Sequence, residues 1–487
     1  MNIDRIADSN YLYAAGHSLK LPFRVNLKSN NRDVELLCNR SLRNLPGKRL
    51  VCSGEYNGQH VVTKFFLSPK RGKNHCLREE RGIFALKKTG INTPLLLFKG
   101  ALNPGNVPVL IFQRIDPVTD FADAWEKADS DTRHAELLRQ IVSVIADQHK
   151  AGLTQEDLHL GNFILSGNKI YTIDGADVNV HHRGKPLSKV KSLENLGLFF
   201  SRIYPQFARL VPDAFNTYLK KRGWSKSIVP YNLLMKKMHN QYKKKEKIRL
   251  KKIYRESSAY ICRKSWNHFL VYDRKYNTEA MARFLAYPDT LIAGGQLLKD
   301  GNTSTVALVQ VDGKPMVVKR YNIKNTWHAF RRCPRPSRAW HSWRNAHRLS
   351  LLGISTPKPI ALLEKRWGPF RSKAYFITEY INGIDVYHLF HSSRIKTVDC
   401  ESLVKQFGEL LQKLANEYIS HGDFKATNFI FSDGELIVID LDAMRKHRWA
   451  IQFHRKFRKD CNRLMKNWKG LPKIYKMFRD QMDIISG

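Results

Sequence analysis

Two carboxylates and a carboxamide stand at a suggestive spacing near the end of the chain. Asp423 is followed five residues later by Asn428, and Asp440 ends the apolar run Leu436-Ile437-Val438-Ile439. An aspartate can orient and deprotonate an attacking hydroxyl, while Asn and Asp oxygens suit Mg²⁺ bound to nucleotide phosphates. The spacing therefore predicts phosphoryl transfer, with Asp423 as the acceptor base and Asn428 and Asp440 as metal ligands.

The same layout occurs upstream. Four pairs of polar residues are separated by one offset of 266 residues: Asp157 and Asp423, Asn162 and Asn428, Asp174 and Asp440, Glu194 and Asp460. Gly353-Ile354-Ser355-Thr356-Pro357 also repeats Gly90-Ile91-Asn92-Thr93-Pro94. A constant offset across several positions indicates an internal duplication. The pattern of a catalytic loop followed by a metal loop predicts a kinase-like fold in each copy.

Each copy also has a lysine on a predicted strand upstream of these loops. Lys64 lies in the apolar run 60–66 and Lys319 in the run 316–321. A point charge on the strand beneath a nucleotide suits the α- and β-phosphates. A helix from about 78 to 89 carries Glu79 and Glu80, either of which could pair with Lys64, and we assign Glu80 to this position. The alternative is an exposed glutamate that balances a neighbouring arginine.

The two copies differ around these positions. In the second copy no acidic residue occurs from 313 to 363, so Lys319 is predicted to lack a local carboxylate partner. Lys425, two residues after Asp423, is predicted to contact the transferring phosphoryl group, and His159 stands at that position in the first copy. The lobe around Lys319 is strongly cationic, with Arg331, Arg332, Arg335, Arg338, Arg344 and Arg348. We expect turnover in the second copy and leave the first open.

Composition limits the class of protein. The chain has 487 residues, 43% of them hydrophobic, which suits two globular domains. Seven scattered cysteines without a Cys-x-x-Cys pair favour a reducing cytoplasm, and no apolar run predicts a signal peptide or membrane span. The net charge of +40 predicts an anionic partner, with a merely solubilising basic surface as the alternative.

We predict an α+β chain of two tandem kinase-like domains, each a small antiparallel-sheet lobe with a mainly helical lobe. The predicted boundaries are an N-terminal arm at 1–33, domains at 34–235 and 276–487, and a basic linker at 236–275. Ten Lys and Arg residues lie between 236 and 255, with interleaved apolar residues. This segment is either a basic amphipathic helix for an anionic membrane surface or a solvated linker helix.

Several segments of the second copy resemble the bacterial lipopolysaccharide core heptose kinase family. They are Lys319-Arg320-Tyr321, Ser342-Trp343-Arg344-Asn345-Ala346-His347-Arg348, 353–357, His421-Gly422-Asp423-Phe424-Lys425-Ala426-Thr427-Asn428-Phe429 and Ile439-Asp440-Leu441-Asp442. The first copy, through Leu45-Pro46-Gly47-Lys48-Arg49, Glu79-Glu80-Arg81 and Asp157-Leu158-His159-Leu160-Gly161-Asn162-Phe163, is similar to a more distant member.

The resemblance implies transfer of phosphate from ATP, with Mg²⁺, to a heptose hydroxyl of the lipopolysaccharide inner core. It further implies a lipopolysaccharide core or lipid A-core acceptor and a peripheral location on the cytoplasmic face of the inner membrane. The glycine-rich loop is sparse, and the metal loops Asp174-Gly175-Ala176 and Asp440-Leu441-Asp442 depart from Asp-Phe-Gly. These departures bear on rate and on the division of labour between the copies.

Other functions fit parts of the sequence. A tandem pseudokinase scaffold could bind lipopolysaccharide or its assembly enzymes without turnover. A kinase could instead act on another small-molecule or protein hydroxyl, as the loop Asp157-Leu158-His159-Leu160-Gly161-Asn162 suggests. Nucleic acid is disfavoured as a partner because the basic runs lack an aromatic-rich recognition motif.

Overall fold

The computed structural model of the protein describes residues 6–16, 19–29, 32–181, 185–226, 229–322, 335–368, 370–392 and 399–486. The chain divides into two compact units, Met1–Tyr242 and Lys243–Gly487, called here the first and second units. The division falls inside one helix, Tyr231–Lys252. Both units mix helices and strands, as the predicted α+β class requires.

The antiparallel sheet of the first unit is a closed barrel. In spatial order the strands are Phe23–Ser29, Arg32–Leu45, Arg49–Tyr56, Gln59–Phe65, Pro108–Gln113 and Leu96–Leu102. An Asn57-Gly58 turn, with both residues at positive φ, joins two of them as an Asn-Gly hairpin should. Val61, Thr63 and Phe65 are buried at alternate positions, so Lys64 lies on the opposite face of its strand.

Several helices of the first unit begin at a side-chain cap. The Ser130 hydroxyl accepts from the amide of Arg133 at the start of helix Asp131–Lys150, whose apolar stripe of Leu138, Ile141 and Ile145 is fully buried. The other helices are Ser9–Ala14, Gly72–Lys88, Phe121–Glu126, Lys189–Ile203 and Val211–Arg222. Short strands complete the unit at Thr119–Asp120, Leu153–Gln155, Phe163–Ser166, Lys169–Thr172 and Val178–Val180.

The prediction of an N-terminal arm at 1–33, separate from the first domain, is wrong for the described residues. Strand Phe23–Ser29 belongs to the barrel, where Phe23, Val25 and Leu27 are fully buried. These residues alternate with Arg24 and Asn26, as expected for a half-buried strand. The pattern is hard to recognise in the sequence because the surrounding stretch is polar.

The second unit contains a seven-stranded antiparallel sheet. In spatial order its strands are Tyr260–Lys264, His268–Asp273, Pro359–Trp367, Phe370–Glu379, Lys314–Tyr321, Ser304–Val311 and Gln296–Gly301. Helices lie at Glu279–Ala286, Pro288–Gly294, Arg338–Leu351, Val386–His391, Cys400–Asn416, Ala450–Lys466 and Pro472–Ser486. Short strands lie at Ile384–Asp385, Ile419–Ser420, Phe429–Ser432, Glu435–Val438 and Arg445–Lys446.

The predicted linker at 236–275 is also wrong, because its residues belong to the two units. Its second half forms two sheet strands, with His268 paired to Lys365 and Tyr272 to Ala361. Its first half is the helix Tyr231–Lys252, in which Met238, Tyr242 and Leu250 are buried.

Glu246 explains how so basic a helix packs against protein. Its buried carboxylate accepts from Arg348 at 2.8 Å and Lys446 at 2.8 Å. Burial alone would raise the pKa of Glu246, but these two cations hold it below its ordinary value. The buried part of the apolar stripe is therefore part of the protein core and is not available to a membrane surface.

Candidate functional site

In both units the asparagine of the Asp-x-x-x-x-Asn motif bonds back to the backbone of the aspartate, which closes the catalytic loop. The Asn428 side-chain amide donates to the Asp423 carbonyl at 2.7 Å, and Asn162 donates to the Asp157 carbonyl at 2.7 Å. The Asn428 carbonyl accepts from the amide of Ile439 at 3.0 Å, and Asn162 accepts likewise from Ile173 at 3.0 Å. This second bond holds each metal loop beside its catalytic loop.

Lys319 meets the metal loop of the second unit, as the sequence predicts. Its Nζ lies 2.5 Å from Asp440 Oδ1 and 3.6 Å from Asp442 Oδ2. Burial alone would lower the pKa of Lys319, but the Tyr321 hydroxyl and the two carboxylates raise it, and Lys319 in turn holds the pKa of Asp440 below its ordinary value despite burial. Both groups are therefore charged at neutral pH.

Lys319 does have a second carboxylate partner, so the prediction from its acid-free helix needs correction. Asp442 occupies that role from the metal loop itself, and Arg338 Nε donates to it at 2.9 Å. The helix Arg338–Leu351 contributes Ser342 instead of a glutamate, and Ser342 bonds the Tyr321 hydroxyl at 2.8 Å. Of the predicted arginine cluster, Arg331 and Arg332 lie outside the described residues.

The backbone of Asp440 is held in an unusual conformation. Its φ of 58° and ψ of 60° lie in the left-handed region, which costs a non-glycine residue about 1 kcal/mol. Asn345 stabilises the loop that follows, since its amide donates to the carbonyls of Leu441 at 2.9 Å and Met444 at 3.0 Å. Such strain persists only where the surroundings fix it, and it is common at functional sites.

Asp423 lies among cations. Arg463 Nη1 is 2.6 Å from its Oδ1, Lys425 Nζ is 3.2 Å from its Oδ2, and Asn428 Nδ2 is 3.1 Å from the same oxygen. Burial alone would raise the pKa of Asp423, but the bonds from Lys425 and Asn428 outweigh it and lower the pKa. The carboxylate is therefore ionised and oriented at neutral pH.

Sequence reasoning missed Arg463. It lies one helical turn after Asp460, whose carboxylate accepts from the amides of His421 at 2.7 Å and Gly422 at 3.0 Å. Residues three apart on a helix share a face, so Asp460 and Arg463 both reach the catalytic loop. The sequence did contain one signal for Arg463. Asp460 belongs to the set of repeated positions, and Arg463 follows it by one helical turn.

A cavity of about 390 Å³ joins these groups in the second unit. Lys319, Lys425, Asn428 and Asp440 are among the residues that line it. Its lining also includes other polar side chains, such as Lys299 and Glu379, and the apolar side chains of Val306, Val317, Phe376, Ile430, Ile439 and Leu441. A mainly apolar cavity with a few convergent polar groups is the usual form of a small-molecule site.

The donors in this cavity fit Mg²⁺. The described residues contain no cluster of three or more His, Cys, Asp or Glu that would hold a metal by themselves. Asn428 and Asp440 nevertheless face one cavity, and because the Asn428 nitrogen is engaged by Asp423, its side-chain oxygen remains for a cation. One carboxylate and one carbonyl oxygen suit a Mg²⁺ that takes its other ligands from phosphates and water.

The first unit gathers the same types of residue with a helix glutamate added. Lys64 pairs with Glu79, and its Nζ lies 3.3 Å from Asp174 Oδ1. Glu79 is fully buried and accepts from the amides of Gly175 at 3.2 Å and Ala176 at 3.1 Å. The assignment of Glu80 is wrong, because Glu80 faces the other way and binds Lys99 at 2.8 Å.

Asp157 of the first unit is more exposed than Asp423. It pairs with Arg202, and His159 Nε2 lies 3.7 Å away. Its side chain is 54% exposed, against 32% for Asp423. Burial lowers the pKa of His159, so this side chain is a weaker cation than Lys425 at the same position.

The predicted equivalence of Glu194 and Asp460 is wrong in structural terms. Asn195 holds the first catalytic loop, donating to the Gln155 carbonyl at 2.7 Å and accepting from its amide at 3.4 Å. Glu194 instead binds Lys237 at 2.6 Å. The residue that holds the catalytic loop is therefore the uncharged Asn195 in the first unit, one position after the residue that the repeat aligns with Asp460.

A strand lysine, a metal-loop aspartate and an Asp-x-x-x-x-Asn loop around one cavity are the parts of a kinase-like phosphotransferase. The model of the Lipopolysaccharide kinase (Kdo/WaaP) family matches residues 56–180 and 293–484, one segment in each unit. The chain therefore belongs to this family.

Two other comparisons add little. A solved structure, "WaaP in complex with acyl carrier protein", is similar over 42% of this chain and 88% of that chain, with 16% identity and a TM-score of 0.31. No curated protein matches the chain. Among the described residues, no helix has the length and apolar character needed to cross a membrane.

Proposed function

We propose that this chain transfers phosphate from ATP to a sugar hydroxyl of the lipopolysaccharide inner core, a heptose hydroxyl in particular, and that the second unit performs the transfer. The observation that carries the proposal is the single cavity lined by Lys319, Lys425, Asn428 and Asp440. Membership of a lipopolysaccharide kinase family supplies the class of acceptor.

Each residue has a role that follows from its position. Lys319 neutralises the nucleotide phosphates, and Lys425 stabilises negative charge on the group in transfer. Asp423 orients the acceptor hydroxyl and takes its proton. Asn428 and Asp440 would hold Mg²⁺, which when bound neutralises charge on the β- and γ-phosphates.

The corresponding positions in the first unit are Lys64, Asp157, Asn162 and Asp174. Arg49 Nη1 lies 3.5 Å from Asp174 Oδ1, so this carboxylate faces two cations. The two cations beside Asp174 and the exposure of Asp157 support a second candidate role for the first unit. In this role the first unit binds nucleotide or acceptor without turnover.

The decisive experiment compares Asp423→Ala with Asp157→Ala in the full chain. We expect Asp423→Ala to lower Mg-ATP-dependent phosphate transfer to purified core lipopolysaccharide by at least about a hundredfold, and Asp157→Ala to retain most of it. The reverse ranking would move the active site to the first unit.

Mass spectrometry of core oligosaccharide from cells lacking the protein would identify the acceptor. Loss of one phosphate from a heptose supports the proposal, and an unchanged core contradicts it. Competition with other hydroxyl compounds in the purified assay separates a core sugar kinase from a kinase for a small molecule or a protein. Nucleotide binding without transfer to any acceptor would favour the pseudokinase scaffold.

A further inference from the structure

Three large aromatic side chains are exposed together on the sheet of the second unit. Trp266 lies between strands Tyr260–Lys264 and His268–Asp273, and Trp367 and Phe370 are paired residues at the ends of the neighbouring strands Pro359–Trp367 and Phe370–Glu379. Their exposed fractions are 68% for Trp266, 70% for Trp367 and 41% for Phe370. These three residues are called the aromatic tip.

The tip is one contiguous patch. The Gly368 amide donates to the Trp266 carbonyl at 2.9 Å, which ties the two strand pairs together. A β-carbon placed on Gly368 would lie 2.9 Å from the Trp266 ring, so the indole lies directly against Gly368. The rings of Trp367 and Phe370 stack with centroids 6.0 Å apart and planes inclined by 15°. Exposed apolar patches of this kind mark interaction surfaces, whereas single exposed residues need no explanation.

Lys and Arg residues lie close to the tip in sequence, and of these Lys373 pairs with Asp289 at 3.3 Å. Residues 260–272 and 365–378 contain no Asp or Glu and six Lys or Arg. Arg263 and Lys264 are exposed, and Lys365 is half-buried. The preceding acid, Glu364, is fully buried, and its carboxylate binds Arg366 and Arg371. The patch therefore presents aromatic rings within a positively charged rim.

We propose that the aromatic tip docks the second unit onto an anionic lipid surface. Trp rings favour the headgroup region of a bilayer, and Lys and Arg residues are attracted electrostatically to an anionic leaflet. The tip supplies both features, whereas the basic helix Tyr231–Lys252 has Met238, Tyr242 and Leu250 committed to the protein core. Lipid is favoured over single-stranded nucleic acid because the Trp367 and Phe370 faces are engaged with each other, and because the family acts on a lipid-linked glycan.

The test measures co-sedimentation of the full chain with sucrose-loaded vesicles. One set is pure phosphatidylcholine, and the other contains a quarter of phosphatidylglycerol. We expect binding to the anionic set, weakened by 0.5 M salt, and a loss of at least about tenfold in the double variant Trp266→Ser/Trp367→Ser. Trp449→Ser is the matched control, because Trp449 is 60% exposed in the same unit but outside the tip, and it should bind as the unchanged chain does.

Several results would overturn the proposal. They are equal binding to both vesicle sets, equal binding by the double variant, and tip-dependent binding of a single-stranded oligonucleotide without vesicle binding. Tip-dependent dimerisation without vesicle binding, measured by light scattering, would assign the patch to a second copy of the chain and overturn it as well. If the double variant is unstable by circular dichroism, Lys264→Glu/Lys365→Glu replaces it, with the same expected loss.

Docking and catalysis can be distinguished. The double variant should phosphorylate a delipidated, water-soluble core acceptor at the unchanged rate and lose rate only on acceptor embedded in anionic vesicles. An equal loss on both acceptors would contradict a docking role. Failure of the unchanged chain on both acceptors would refute the proposed kinase function and leave the vesicle result standing.

Discussion

The lysine of the first unit and the lysine of the second unit are fixed by different carboxylates. Lys64 binds Glu79 from a helix as well as Asp174 from the metal loop. Lys319 binds two residues of one loop, Asp440 and Asp442. The acidic partner of the strand lysine can therefore come from the metal loop instead of the helix. A helix without an acidic residue does not imply that the strand lysine is unpaired.

The asparagines of the two catalytic loops have different side-chain acceptors. In the second unit Asn428 donates to the Asp423 carboxylate, but in the first unit Asn162 donates to the side chain of Gln155 at 3.1 Å. Gln155 stands where the second unit has His421. The glutamine therefore diverts the asparagine from Asp157, which fits the greater exposure of that aspartate.

The metal-loop aspartates differ in backbone conformation. Asp440 is left-handed, whereas Asp174 is extended with φ −127° and ψ 92°. The second unit thus holds its carboxylate in a strained conformation that its loop contacts maintain. This difference favours the second unit as the one that turns over.

The largest expected difference between the two units is the effect of removing the strand lysine. Lys319→Met should reduce phosphate transfer by about a thousandfold, because the phosphates lose their fixed cation, and Lys64→Met should leave the rate within about threefold. Steady-state kinetics with Mg-ATP and core acceptor measures both. Equal losses would mean that the two sites act together.

The helix glutamate offers the next largest effect, on stability. Glu79→Gln removes one charge of a buried pair and should destabilise the first unit by about 3 kcal/mol. Ser342→Ala removes one hydrogen bond at the corresponding helix and should cost the second unit about 1 kcal/mol. Hydrogen exchange of peptides from each unit measures the two losses separately. A Glu79→Gln variant as stable as the unchanged chain would show that Asp174 alone suffices for Lys64.

The spacing of Asp and Asn, the lysine strands and most of the sheets could be predicted from the sequence because each depends on local pattern. Asp442 and Asn195 could not, since their roles depend on the phase of a helix or loop against a distant segment. For Arg463 the one signal was its place a helical turn after Asp460. The strands Tyr260–Lys264 and His268–Asp273 were mistaken for a linker for a related reason. Tyr260–Lys264 pairs only with His268–Asp273, and that second strand joins the sheet through Pro359–Trp367, about a hundred residues later, as the pair His268 and Lys365 illustrates.

Acid should weaken the second unit more than the first. Burial lowers the pKa of His149 in the first unit and of His347 in the second to about 3, and it also lowers the pKa of His421. The unfolded chain binds protons below pH 6.5 while these folded imidazoles do not, so stability falls as pH falls from about 6.5 toward 3. Between pH 7 and 5 the loss is about 2 kcal/mol for each of His149 and His347, with a further loss in the second unit from His421.

Exchange rates at the two pH values, corrected for the intrinsic pH dependence, check this order. His347→Leu should flatten the response of the second unit alone. A steeper response in the first unit would contradict the assignment of His421 as a buried neutral group.

Asp442→Asn gives the smallest predicted effect. It tests whether Lys319 needs the carboxylate of Asp442 in addition to that of Asp440. Arg338 and Lys319 would then share Asp440, and kcat/KM for ATP should fall by about tenfold. Asp289→Asn is a suitable control, since Asp289 binds Arg320 at 3.1 Å on the same sheet without touching Lys319. An unchanged kcat/KM in Asp442→Asn would show that Asp440 alone positions the lysine.

The helix Tyr231–Lys252 has a consequence for limited proteolysis. It contains nine Lys and Arg residues, more potential trypsin sites than any other helix of the chain's described part. Its backbone is hydrogen-bonded, and Tyr242, Glu246 and Leu250 anchor it in protein, so cleavage must wait for the helix to open. The most basic stretch of the chain should accordingly be among the last that trypsin cuts in the native protein.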